Sequence, residues 1–187
     1  WSSDVCSSDL PGCKVALAAP TGKASMRMLD SLREKSAQFP KEILEQIHQL
    51  KPFTLHRLLG FQPNSIYFKH NRNNPLPYNW IIVDEASMID LPMFAKLLDA
   101  CKPETRLIFL GDQDQLASVD AGSLLGDLCA SAGVLNRFSK SENDWLNSFI
   151  ISSERKIPDA YATTTSLPFL ECITSLRFSH RFKERGK

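Results

Sequence analysis

The feature that most constrains the fold is an apolar run, Trp80-Ile-Ile-Val83, that passes without a break into two adjacent acids, Asp84 and Glu85, and then Ala-Ser-Met-Ile-Asp90. A short continuous apolar run fits a buried parallel strand, and its abrupt polar end marks the rim where such a strand leaves the sheet. Paired acids there suit metal-assisted phosphate chemistry. One carboxylate can hold Mg²⁺ through its water shell, and the other can orient or deprotonate a water. The same residues also fit a strand followed by a solvated acidic turn. A second run of the same design, Arg106-Leu-Ile-Phe-Leu110, enters Gly111-Asp112-Gln113-Asp114-Gln115. Two such strand ends predict a nucleotide site at the carboxyl edge of an open α/β sheet.

Between these runs, strand and helix signals alternate. Lys14 to Ala19 reads as a short buried strand entering Pro20-Thr21-Gly22-Lys23 and a helix carrying Met28, Leu29 and Leu32. A second helix follows Pro40, with Ile43, Ile47 and Leu50 on one face. Thr54 is placed to cap a short helix, Leu55 to Leu59, stopped by Gly60. Residues 61 to 78 are aromatic, polar and basic, and predict a small hairpin turning at Asn71-Arg-Asn-Asn-Pro75. Asp90 and Pro92 open a helix with Phe94, Leu97, Leu98 and Cys101 at i, i+3, i+4 and i+7. Asp120 is placed to cap another carrying Leu124, Leu125 and Leu128. Alternation of this kind predicts a parallel sheet with helices on both faces. From Gly133 to Pro168 the pattern decays into polar, Ser/Thr-rich sequence with one helix signal over Trp145, Leu146 and Phe149, and Leu170 to Phe178 reads as a resumed strand.

The first ten residues are expected to be a sequencing-adapter scar, so the chain is read as a fragment. Without Asp4 and Asp9, 22 basic residues face 19 acidic ones and net charge moves from +1 to +3. That balance is compatible with nucleic acid but does not argue for it. Beyond the first ten residues, Cys13, Cys101, Cys129 and Cys172 are scattered without CxxC spacing, which argues against a zinc site or disulfide framework and favours a reducing cytoplasm. No apolar run reaches membrane-spanning length, so no membrane is expected as a partner.

The turn at Pro20-Thr21-Gly22-Lys23 imitates a P-loop and fails twice. The pattern GxxxxGK[ST] would need Gly at 17 and Ser or Thr at 24, where the chain has Leu17 and Ala24. It still qualifies as an anion site, since helix N–H groups point outward, Gly22 permits close approach and Thr21 and Lys23 add a hydroxyl and a charge. An ordinary capped helix start is the alternative. Thr54 and His56 open a short helix, for which capping is the simpler reading and phosphate or sugar contact the other. Arg181, between His180 and Phe182, taken alone fits an ordinary surface arginine.

In order along the chain, APTGKAS (19–25), TLHRLLG (54–60), IIVDEASMID (81–90), IFLGDQDQLASVDAGSLLGDL (108–128) and SHRF (179–182) resemble the motor core of RecD-like helicases, the 5′-to-3′ branch of superfamily 1. The resemblance is dense over residues 14–133 and thinner over 171–182. It implies a RecA-like P-loop NTPase fold: part of a first motor domain over 11–133, a variable insertion or linker over 134–170, and the start of a second motor domain over 171–187. The family's first strand with its P-loop, and the later motifs of its second motor domain, are absent from these residues, and His180 stands where the family often has an aromatic.

By resemblance, the ligands are ATP and Mg²⁺, with Asp84 holding the metal and Glu85 activating the hydrolytic water. Gln115 would sense the γ-phosphate, and Arg181 would contact it from across the cleft. Pro20, Thr21, Lys23, Thr54 and His56 would touch single-stranded DNA, and RecB-like and RecC-like subunits would be partners. A stand-alone RecD-like or TraA-type motor and a non-catalytic single-strand-binding protein are the rival readings. The hairpin would sit where related motors carry a strand-separating element, though here it is short.

Overall fold

A computed structural model describes residues 13–36, 39–112, 124–165, 169 and 171–176. The chain divides into two compact units, Trp1–Leu125 and Gly126–Lys187.

The first unit is built on a four-stranded sheet. Its strands are β1 (Val15–Ala19), β2 (Pro52–Thr54), β3 (Trp80–Val83) and β4 (Arg106–Phe109), in the order β2-β1-β3-β4, all parallel. Register pairs Ala16 with Ile81 and Ile81 with Leu107, and likewise Ala18 with Val83 and Val83 with Phe109. Because side chains alternate along a strand, these residues share one face. They form the core with α3 (Leu55–Leu59) and α4 (Leu91–Asp99), whose Leu55, Leu59 and Leu97 are fully buried. Leu17 alternates to the other face, where α1 (Gly22–Glu34) packs on β1 and β2 with Ala24 and Leu29 buried. The α/β architecture with helices on both faces, expected from the sequence, is the one found.

Helix ends follow their local chemistry. Thr21 caps α1 by accepting from Ala24 N–H at 3.2 Å, Thr54 caps α3 by accepting from Arg57 N–H at 3.3 Å, and Asp90 caps α4 by accepting from Met93 N–H at 2.7 Å. Each cap satisfies an N–H that the first helical turn leaves without a partner. Gly60 ends α3 with φ +75°, and a Cβ there would stand 2.8 Å from Lys69 Cβ, so the position requires glycine. The helix after Pro40, α2, spans Lys41–Gln49 and buries Ile47.

Several expectations need correction. β2 escapes a sequence reading, being three residues that begin with proline. The hairpin expected over 61–78 is instead a string of turns and bends with one isolated antiparallel bridge, Asn71 to Asn74. Its three prolines and four asparagines favour turns over a paired ladder. Leu98 is 46% exposed, because α4 turns Phe94 and Leu97 toward Phe109 and the core and leaves Leu98 to solvent.

In the second unit, β5 (Phe138–Ser139) pairs parallel with β6 (Ala162–Thr163), and α6 (Lys140–Phe149) lies between them in sequence. α6 accounts for the helix expected around Trp145. It is preceded by α5 (Leu124–Ser131), which crosses the boundary between the units. Asparagine side chains hold the unit: Asn136 exchanges two hydrogen bonds with the Ser175 backbone and Asn147 two with the Ile157 backbone, at 2.7–2.9 Å. Residues 171–176, within the expected strand over 170–178, form a turn and irregular chain. Asp120 lies outside the described residues.

Candidate functional site

Because every strand of the four-stranded sheet runs the same way, the segments following Ala19, Thr54, Val83 and Phe109 all leave at one edge. Open α/β sheets bind ligands there. β1 sits between β2 and β3, with Ala18 paired to both Phe53 and Val83, so its turn is flanked by the other two.

The turn after β3 carries the acids. Asp84 N–H donates to Ala18 O at 2.9 Å, and Asp84 Oδ1 accepts Glu85 N–H at 2.9 Å. Glu85 itself is left-handed, φ 52° and ψ 41°, a conformation uncommon outside glycine and asparagine and often found where function over-determines the backbone. Both acids are half-buried. A 3-10 turn, Ala86–Met88, follows and ties this segment to its neighbour. Ala86 N–H donates to Leu110 O at 2.9 Å, and Leu110 N–H donates to Val83 O at 2.8 Å. A Cβ on Gly111 would stand 2.7 Å from Leu125 Cδ2 and 3.2 Å from the backbone N of Ala86 and of Ser87. The two acid-bearing turns are therefore in backbone contact, and a side chain at their seam would crowd Leu125 and the Ala86–Ser87 backbone. Asp112 comes next, exposed at the same edge.

The turn after β1 is different. Pro20 is half-buried, while Thr21, Gly22 and Lys23 are exposed. Ser25 Oγ donates to Gly22 O at 3.0 Å, which fixes the first turn of α1. Gly22 lies close to Thr54, whose Cγ2 would be 3.9 Å from a Cβ added there. The structure thus brings Pro20, Thr21, Lys23 and Thr54 together, and exposed His56 follows on α3 with its ring edge-on to Phe61 and Phe68, centroids 6.4 and 5.8 Å away. The capping reading of Thr21 and Thr54 is correct and does not compete with a phosphate contact. A cap uses one acceptor lone pair of the hydroxyl and leaves its O–H free to donate.

Gln115 and Arg181, with Asp114, His180 and Phe182, lie outside the described residues. Among the described residues no three carboxylate, imidazole or thiol groups converge on a point. Burial pushes the Cys101 thiol up to about 11, with Sγ donating to Leu97 O at 3.1 Å, and burial also raises Cys129, which disfavours the thiolate at both.

Sequence reasoning missed two contributors. Gly111 was read only as the first residue of an acidic loop, and its part shows only once the segments after β3 and β4 are seen side by side. Ser87, beside the acids, is buried with no hydrogen-bond partner for its Oγ. A small polar residue following Asp84-Glu85-Ala86 was the available signal.

Comparison with known proteins agrees with this geometry. The model of a family described as "AAA domain" matches residues 4–121. The RecBCD enzyme subunit RecD of Haemophilus influenzae is 41% identical over 187 residues, 95% of this chain and 28% of that protein. The protein of the same name from Mycolicibacterium smegmatis is 47% identical over 124 residues, 66% of this chain and 22% of that protein. The ATP-dependent RecD2 DNA helicase of Deinococcus radiodurans is 40% identical over 121 residues, 65% of this chain and 14% of that protein. The chain thus spans between about a seventh and just over a quarter of the length of these relatives. With its parallel sheet, its paired acids at the carboxyl edge and a family match over most of its length, the chain belongs to the AAA domain family and is similar to the RecD proteins.

Proposed function

We propose that this chain is part of the motor of an ATP-dependent DNA helicase, moving along single-stranded DNA during double-strand-break processing and recombinational repair. The observation that carries the reading is the pair of unlike turns side by side on one sheet edge. One presents Asp84 and Glu85, locked to the Gly111 loop; the other presents Thr21, Lys23 and Thr54 beside His56. The first suits ATP hydrolysis: Asp84 would hold Mg²⁺ and Glu85 would take a proton from water. The second suits backbone-directed grip on a strand, using hydroxyl, cation and helix N–H groups without reading bases. Mg²⁺ would supply charge neutralisation of the nucleotide phosphates when bound. By resemblance, Gln115 links nucleotide state to the strand and Arg181 reaches the γ-phosphate.

Relatives named as RecBCD enzyme subunits support RecB-like and RecC-like partners, and by resemblance the assembly would be an exonuclease complex of the cytoplasm. Similarity to the RecD2 helicase, whose name carries no subunit designation, favours a second reading as a motor without such partners. The test is phosphate release by a full-length protein containing this chain, with and without single-stranded DNA. Hydrolysis that rises with the strand supports the helicase reading. Hydrolysis indifferent to DNA, or no hydrolysis at all, removes it. Co-purification of RecB-like and RecC-like subunits from the native cell separates the complex from the lone motor.

A further inference from the structure

Four serines in or beside helices bond back to the carbonyl three residues earlier. Ser25 Oγ donates to Gly22 O at 3.0 Å, Ser36 to Arg33 O at 2.6 Å, Ser131 to Leu128 O at 2.7 Å and Ser148 to Trp145 O at 2.6 Å. Ser87, in the 3-10 turn behind the acids, does not. It is 1% exposed, yet its Oγ has no hydrogen-bond partner among the described residues. The residue three before it is Asp84, and the complementary bond is missing there too. Thr21, Thr54, Asp90 and Ser139 each accept the N–H of the residue three further on. Asp84 instead turns Oδ1 to the N–H of its neighbour Glu85 at 2.9 Å, and the turn Ala86–Met88 has no side-chain cap.

One backbone feature accounts for both. Left-handed Glu85, φ 52°, stands between Asp84 and Ser87 and takes the two out of a common helical register. The seam with the next loop then keeps Ser87 covered, since a Cβ on Gly111 would stand 3.2 Å from Ser87 N. The hydroxyl has given up water and gained no bond in return. A buried hydroxyl left in that condition weakens the fold, and it calls for a role in another state of the molecule. The acceptors nearest along the chain are the carboxylates of Asp84 and Glu85. An ionised carboxylate takes several donors, and Glu85 N–H occupies only one oxygen of Asp84. A carboxylate that holds a cation is itself held by a donor behind it. A half-buried Asp84 with acceptor capacity to spare, three residues from a buried donor without a partner, fits that arrangement.

We infer that Ser87 is a positioning residue for Asp84: its hydroxyl donates to the Asp84 carboxylate in the metal- and nucleotide-bound state and holds that carboxylate in place for the cation. This rests on the proposed reading of Asp84 as the Mg²⁺ residue. The test uses a full-length protein containing this chain, with Mn²⁺ as the probe and a non-hydrolysable ATP analogue present, and reads bound Mn²⁺ by electron paramagnetic resonance. Single-strand binding and chemical denaturation without metal are measured on the same preparations. Ser87→Ala should weaken Mn²⁺ binding by about 10- to 100-fold, the usual loss when a donor behind a metal ligand is removed. Its single-strand affinity should stay at the wild-type value. Its denaturation midpoint without metal should be unchanged or higher, because no hydrogen bond of the free fold is lost. Wild-type Mn²⁺ affinity in Ser87→Ala, with binding lost in Asp84→Asn, would overturn the role of Ser87 and leave the Asp84 reading standing. A lower midpoint in Ser87→Ala would show that the hydroxyl is already bonded without metal, and equal losses of Mn²⁺ and single-strand binding would show a general distortion; either overturns the inference. Wild-type Mn²⁺ binding in Asp84→Asn would remove the Asp84 reading, and this inference with it.

Discussion

The turns that follow β1 and β3 leave adjacent parallel strands at one edge, yet they are built on opposite principles. The β1 turn is unstrained: extended Thr21 caps α1, a Cβ at Gly22 would meet Thr54 only at an ordinary van der Waals distance, and Lys23 is exposed at a helix start. The β3 turn is over-determined: Glu85 sits in the left-handed region, Asp84 bonds Glu85 N–H, and the Ala86 backbone is fastened to the next strand end. On the proposed reading, the first would give ground as a strand slides across it and the second would hold two carboxylates in one arrangement, the contrast expected between a grip and a reaction centre.

The largest effect expected concerns the chain by itself. The 187-residue chain should show no DNA-stimulated ATP hydrolysis, measured as phosphate release. With Leu17 and Ala24 where a P-loop needs glycine and hydroxyl, the β1 turn is no cradle, and Asp84 and Glu85 meet the triphosphate with repulsion. Turnover at the ~1–100 s⁻¹ typical of such motors would break the comparison by making the Lys23 turn a nucleotide site.

The two glycines give a sharper and smaller contrast. Gly111→Ala should cost about 1–3 kcal/mol in chemical denaturation, because its Cβ intrudes on Leu125 and on the Ala86–Ser87 backbone. Gly22→Ala, with nothing nearer than 3.9 Å, should be neutral or slightly stabilising at a helix start. Equal costs at both would show the β3 turn to be no more constrained than its neighbour. Smaller still, Lys23→Ala should weaken single-strand binding and lower the slope of log affinity against log salt by about 0.7, the share of one phosphate contact. An unchanged slope would remove Lys23 from the grip.

Much of this arrangement was legible in the sequence. The three longer strands are apolar runs with abrupt polar ends, and the caps at Thr21, Thr54 and Asp90 stood at the first residue before each helical pattern. The acids were legible because nothing apolar separates them from Val83. What stayed hidden depends on partners distant along the chain. β2 is a strand only because Leu17, Ala18 and Ala19 lie beside Pro52, Phe53 and Thr54. The left-handed Glu85 and the role of Gly111 follow from β3 and β4 being neighbours, which no local pattern around either residue states. The Phe61–Tyr78 segment misled for the opposite reason, since its aromatics suggest strands locally while its prolines and asparagines settle the backbone into turns.

Glu85→Gln in a full-length protein containing this chain tests the division of labour most directly, with ATP turnover, nucleotide binding and single-strand binding measured on the same preparation. The amide keeps the size and hydrogen bonding of the carboxylate but cannot accept a proton, so turnover should fall by about 10²–10⁴-fold, the usual loss for a general base. Nucleotide and DNA affinities should hold at their wild-type values. Near-normal turnover, or affinities that collapse together with it, would contradict the assignment of chemistry to the β3 turn and grip to the β1 turn.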